Sequence, residues 1–171
     1  MLPANIETAY AEAGKIINWN IYATLATASS EGAPHISPVY FSFDSELRIF
    51  WASALDALHS KLIHTNPSIS LVIFNSTAPE REGNGVYMRG MAKEYQGSDL
   101  TAVIAAHSNR VNKVPTKTDQ DYLGDSPRRI FCFTPTNAWT LLQPRDVAGH
   151  LIDTKVELDL VKLKEELNIC Q

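Results

Sequence analysis

Apolar residues recur at helical spacing near the start of the chain: Ile6, Ala9, Tyr10, Ala13, Ile16 and Ile17. That spacing predicts an amphipathic helix over 5–18, with Asn5 as its cap. The period then changes. Tyr22 to Ala28 alternates β-formers with small residues, Ser29-Ser30-Glu31-Gly32 reads as a turn, and Pro34 to Phe43 resumes a strand. A second polar turn, Asp44-Ser45-Glu46, returns the chain into Leu47 to Ala52. Turns this short cannot make parallel crossovers, so the three strands predict an antiparallel meander.

The next segment, Leu55 to Thr65, is β-poor and predicts a short helix with Asp56 in its first turn. Asn66-Pro67 ends it, because proline pushes its predecessor out of helical geometry. Ile69 to Phe74 and Val86 to Tyr95 read as strands around the polar loop 75–85. Ser98 is expected to cap a helix reaching about His107, and one helical turn is expected near Asp119 to Leu123. Arg129 to Phe133 and Ala138 to Leu142 read as two strands flanking Thr134-Pro135-Thr136-Asn137. Lys155 to Leu158 predicts a last strand, and Asp159 a cap for a terminal helix bearing Leu160, Val161, Leu163 and Leu167. Strands dominate, helices fall between strand groups, and no repeat or linker interrupts them. The pattern predicts a mainly β (α+β) fold, an antiparallel barrel with peripheral helices, in one domain over 1–171.

Composition narrows the classes of function. The 171 residues are 44% hydrophobic and 20% charged, as in an ordinary globular protein, and the net charge is −4. An acidic balance argues against a general nucleic-acid binder and against adhesion to anionic membranes. Two cysteines, Cys132 and Cys170, give neither a disulfide framework nor a metal pair, which predicts a reducing, cytoplasmic setting. No apolar run approaches the ~20 residues of a membrane span. Dinucleotide-binding, Walker-type and Gly-x-Ser-x-Gly motifs are absent, and the five histidines include no His-Glu-x-x-His. His59 and His64 are five apart and do not share a helical face, so no zinc site is expected. Ser60 beside His59 is not expected to be a nucleophilic pair either, because neighbours in sequence point to different helix faces.

What remains is a cluster at a strand exit. Ser53 ends a strand, and His59, Ser60 and Lys61 follow on the short helix. Hydroxyls, a partly buried imidazole and an ammonium are the groups that hold a phosphate near free helix N–H groups. The plainer alternative is a turn serine, a packing histidine and a solvated lysine.

An ordered series of blocks bears on that choice: Ala23-Thr-Leu-Ala-Thr27, Pro34-His-Ile-Ser-Pro-Val-Tyr-Phe41, Leu47-Arg-Ile-Phe-Trp-Ala-Ser53, His59-Ser-Lys-Leu-Ile63, Asn66-Pro67 and Val86-Tyr-Met-Arg-Gly-Met-Ala-Lys-Glu94. In this order the blocks resemble the pyridoxamine 5′-phosphate oxidase-like family of FMN-binding split β-barrels. The resemblance implies a homodimer with FMN in a groove at the interface, and a small-molecule oxidoreductase. It implies that Ser37, Pro38, Val39 and Tyr40 line the isoalloxazine edge and that Trp51, Ala52 and Ser53 flank the ribityl chain. His59, Ser60 and Lys61 would hold the phosphate, Arg89 is a further phosphate candidate, and Trp139 of the second protomer would cover the pocket. Each has a plainer counterpart: an edge strand at Pro38, barrel core at Tyr40 and Trp51, dimer packing at Trp139. Vitamin B6 oxidases carry a substrate-contacting Arg-Leu-His segment near the C-terminus. Here Asn137 to Arg145 has none, so the resemblance extends to the cofactor and stops short of that substrate. A deazaflavin shares the ribityl-phosphate handle. Flavin or haem binding without turnover is the other class left open, with His35, His59, His64, His107 and His150 as candidate axial ligands for haem.

Overall fold

The computed structural model describes residues 2–111 and 113–169, with side chains as far as Leu167; Cys170 lies outside them. The first helix, α1, spans Ile6–Trp19 and is capped by Asn5 as expected. The Asn5 side chain accepts from the Thr8 N–H, while the Asn5 N–H donates to Thr8 Oγ1. Its apolar stripe, Ala9, Ala13, Ile16 and Ile17, is buried in the main core.

Among the described residues eight strands follow: β1 (Tyr22–Ala28), β2 (Pro34–Tyr40), β3 (Ser42–Phe43), β4 (Ile49–Ala54), β5 (Ser68–Phe74), β6 (Gly85–Glu94), β7 (Arg128–Val147) and β8 (His150–Leu158). Their order in the antiparallel sheet is β2-β1-β5-β6-β7-β4-β3, with β8 paired to β7. The two edges, β2 and β3, are separated in the chain by Phe41 alone, which is fully buried. One bent strand thus begins on one edge and ends on the other, and the sheet curls into a barrel left open along that seam. The fold is a split β-barrel. The expected meander resolves into two hairpins, β1–β2 and β3–β4, because the bend at Phe41 stops the middle strand pairing on both sides along its length.

β7 departs further from expectation. Arg129 to Leu142 is one continuous strand, and Thr134 to Asn137 do not form a turn. Pro135 is tolerated because it sits at a bulge: Arg89 pairs with Asn137 and Gly90 with Pro135, leaving Thr136 as the extra residue. Strand β7 is long enough to pair with β4 and β6, and then with β8.

The helices close the barrel and its flank. α2 (Leu58–Thr65) begins after Asp56, which lies in the preceding turn and not in the first helical turn. α3 (Leu100–Asn109) is not capped by Ser98; Asp99 occupies the cap position, and its carboxylate accepts from Tyr95 and Arg48 instead. A single 3-10 turn forms at Asp119–Asp121. Asp159 accepts from the Val161 and Lys162 N–H groups at the start of α4 (Leu160–Ile169). Alternation along β4 divides the interior: Ile49 and Trp51 face the main core, while Phe50 packs in a second cluster with Leu100, Val103 and Ile104 of α3. Among the described residues no helix is long and apolar enough to cross a membrane.

At the C-terminal end of α3, Arg110 Nη2 donates to the carbonyls of Ile17 and Asn20, and its guanidinium lies 4.4 Å from the Phe41 ring centre. His107, one turn earlier, is largely buried beside it. Burial first, then the nearby Arg110 and Arg128 charges, hold its imidazole down to about pKa 4. The unfolded chain therefore binds a proton that the folded chain refuses between about pH 6.5 and 4. Stability is expected to fall as the pH drops through that window, by ~2 kcal/mol after allowance for partial exposure. Denaturant midpoints at about pH 7.5 and about pH 5 check this: His107→Gln should lose less between the two than the parent does.

Candidate functional site

The seam between β2 and β4, covered by α2, gathers the polar side chains of the strand exit. Ser53, near the end of β4, is almost fully buried, and Ser60, in α2, is completely so. The Ser60 hydroxyl donates to Ser53 Oγ at 3.2 Å. His59 Nε2 lies 2.7 Å from the same Ser53 Oγ. Ser60 and His59, although helix neighbours that project in different directions, thus both reach the one Ser53 hydroxyl. On its other side, His59 Nδ1 is 3.2 Å from Ser37 Oγ, and Ser37 Oγ is 3.0 Å from His35 Nε2. Burial and, secondarily, the His35 ring lower the pKa of His59, favouring its neutral form.

The strand period decides which candidates meet here. On β2, Ser37 and Val39 pair with Leu25 and Ala23 on the inner face, whereas Pro38 and Tyr40 pair with Thr24 and Tyr22 on the outer face. A ligand along β2 would meet these four as a line of backbone. Tyr40 donates its hydroxyl to the His107 carbonyl at 2.7 Å. Pro38 lies on an edge strand, where a missing N–H costs no ladder bond. Trp51 is fully buried and stacked on Phe131, ring centres 5.8 Å apart and 11° from parallel, so its side chain is core. Only its backbone, with that of Ala52, reaches the seam.

Two features bear on anions. α2 starts at Ala57 with no side-chain cap, so the N–H groups of its first turn are left without a side-chain acceptor beside Ser53 and Ser60. Lys61, next along the helix, is exposed and makes no ion pair or side-chain hydrogen bond among the described residues.

The remaining candidates lie on the outer face of the sheet. Tyr87 and Trp139 are register partners across β6 and β7. Arg89 lies over the Trp139 ring at 5.8 Å, and Lys155 lies over the Tyr87 ring at 4.0 Å. Together with Ile36 and Val72 they line a shallow pocket of about 310 Å³. Arg89 is thus on a different face of this protomer from the Ser53 cluster. The same outer face exposes Ile36, Tyr22, Phe74 and Met91. Lys155 was not singled out by sequence, and His35 only as a candidate axial ligand; period-2 spacing from Ser37 would have placed His35 with the serine cluster, and only the β7–β8 register marks Lys155.

A comparison with curated proteins finds no match. Among solved structures, the chain is similar to a heme binding protein from Mycobacterium smegmatis, at 21% identity and a TM-score of 0.65. That match covers 94% of this chain and 60% of the other, so the chain spans less than two thirds of the mycobacterial protein. The heme storage protein HutZ of Vibrio cholerae is similar at 16% identity and TM-score 0.64, over 85% and 99% of the two chains. A protein named as an F420 reductase is similar at 18% identity and TM-score 0.56, over 74% and 94%. At these identities the likeness is one of fold. The family model for pyridoxamine 5′-phosphate oxidase matches residues 11–142 of the sequence itself, from within the first helix to the far side of the bulged strand. That span takes in the seam, α2 and the outer-face aromatic pair, and the chain belongs to the pyridoxamine 5′-phosphate oxidase family.

Proposed function

We propose that residues 1–171 form one FMN-binding domain that works as a homodimer, an FMN-dependent oxidoreductase acting on a small molecule. The observation that carries this reading is the uncapped start of α2 beside the Ser53–Ser60–His59 cluster. Orphan helix N–H groups, two hydroxyls and an imidazole are the donors a phosphate monoester needs. In this reading Ser53, His59 and Ser60 hold the phosphate, with Lys61 as the nearby charge. The backbone of Trp51 and Ala52 follows the ribityl chain, and the backbone from Ser37 to Tyr40 follows the ring edge. When bound, FMN supplies hydride and electron chemistry that no side chain offers. The exposed apolar outer face supports the dimer, and Trp139 and Arg89 of a second protomer would close the groove. Among the described residues the seam has no buried fixed cation, so in this reading binding rests mainly on hydrogen bonds.

A second reading has its own support. His35 and His59 flank Ser37 on one face of the seam, and burial favours neutral His59, the form of imidazole that ligates iron. Haem bound there without turnover would use the same opening. One titration series separates the readings. Purified protein given FMN should develop bound-flavin absorption, and haem should produce no Soret band. Ser60→Ala and Lys61→Ala should each weaken FMN by ~1–3 kcal/mol, the scale of a lost hydrogen bond to a charged group. A Soret band with no flavin uptake would replace the first reading with the second. A deazaflavin would occupy the same phosphate end and is told apart by its spectrum.

A further inference from the structure

The side chains under α2 form an unbroken line: His35 Nε2, Ser37 Oγ, His59 Nδ1, then across the ring from His59 Nε2 to Ser53 Oγ, at 3.0, 3.2 and 2.7 Å. A neutral imidazole has one N–H and one acceptor nitrogen, and a hydroxyl donates one hydrogen while accepting others. These inventories allow the line to be satisfied in two ways. In the first, His35 Nε2–H donates to Ser37, Ser37 to His59 Nδ1, His59 Nε2–H to Ser53, and Ser53 to the Ala54 carbonyl at 3.4 Å. In the second every hydrogen points the other way: Ser53 to His59 Nε2, His59 Nδ1–H to Ser37, and Ser37 to His35 Nε2. Ser60 donates to Ser53 in both.

We infer that this line is a proton relay, with His35 as its solvent end and the Ser53 hydroxyl as its buried end. A proton taken from water by His35 Nδ1 converts the first arrangement into the second. The His35 Nε2 proton moves to Ser37 Oγ, the Ser37 proton to His59 Nδ1, and the His59 Nε2 proton to Ser53 Oγ. The former Ser53 proton leaves to a ligand oxygen that replaces the Ala54 carbonyl as its hydrogen-bond acceptor. One proton enters, one leaves, and no charge stays on the line. Rotation of the hydroxyls and tautomer exchange restore the first arrangement.

The surroundings suit this task. His35 and His59 are both partly exposed, whereas Ser53 and Ser60 are buried, so the histidine end of the line meets water and the Ser53 end does not. Neither ring makes an ion pair among the described residues, and no carboxylate holds either one in a single tautomer. The charged groups around His59 are His35 on β2 and the exposed Lys61 on its own helix. Burial favours the neutral imidazole, the form able both to accept and to release a proton. That the accepting oxygen is a ligand phosphate rests on the FMN reading above. The relay itself belongs to this chain's own residues and is tested without any ligand.

Nitrogen-15 NMR of the ligand-free protein provides the test, since Nδ1 and Nε2 shifts report the tautomer of each ring. In the parent, both His35 and His59 should show averaged tautomers. Ser37→Ala should break the line, leaving each ring in a fixed tautomer. Ser37→Thr keeps the hydroxyl and should restore the averaged tautomers of both rings, which separates the relay from a general effect on folding. A single fixed His59 tautomer in the parent, unchanged in Ser37→Ala, would overturn the relay. Failure of FMN to bind would leave these NMR outcomes untouched.

Discussion

Gly90→Ala is expected to cost about 3 kcal/mol or more, enough to threaten the fold of a domain of ordinary stability. A Cβ built at Gly90 would lie 2.1 Å from the Thr134 carbonyl oxygen and 2.8 Å from Pro135 Cα. Both are backbone atoms of the facing strand, so relief requires β6 and β7 to separate at the bulge. That pair also sets the outer-face register of Arg89 and Trp139, so the damage would reach the pocket they line. The control is Gly83→Ala, where nothing lies within 4 Å and the effect should be within ~0.5 kcal/mol. Urea midpoints measure both. A Gly90→Ala protein as stable as the Gly83→Ala one would mean the strands stand further apart than described.

Trp51→Ala is expected to cost ~3–5 kcal/mol, the range for removing a large aromatic from a core. The ring is fully buried, stacked on Phe131, and surrounded by the main hydrophobic cluster. Its Nε1–H has no hydrogen-bond partner among the described residues, an expense that the packing of the ring must outweigh. Trp51→Phe removes that unpaired donor and keeps most of the stacking, so it should cost well under half as much as the alanine. FMN affinity should be unchanged in Trp51→Phe, because only the backbone of residue 51 faces the seam. A large loss of affinity with intact stability would instead make the indole part of the binding site.

Much of the architecture was legible because it follows from local periodicity. The α1 stripe, the Asn5 and Asp159 caps and the alternation in β1, β5 and β6 are properties of neighbouring residues, and each appears where its pattern places it. The errors fall where distant partners override local signals. Thr134-Pro135-Thr136-Asn137 has the composition of a turn, yet β6 offers a bulge opposite it and the strand runs on. Ser98 is a good cap by type, but Asp99 takes the cap position and its carboxylate is drawn to Tyr95 and Arg48.

The same division runs through the site. Sequence alone determined the fold family and the presence of serines, a histidine and a lysine at a strand exit. Period-2 and period-3.6 geometry acts within a few residues, and the ordered blocks carry it. Only the tertiary structure decided which of those groups touch. Folding α2 against the β2–β4 seam carried Ser60 and His59 onto one hydroxyl, enlisted His35 through Ser37, enclosed Trp51 and left Lys61 in solvent. Such convergence depends on the angle at which a helix meets a bent strand, and that angle is set by packing across the whole barrel, which no stretch of sequence encodes by itself.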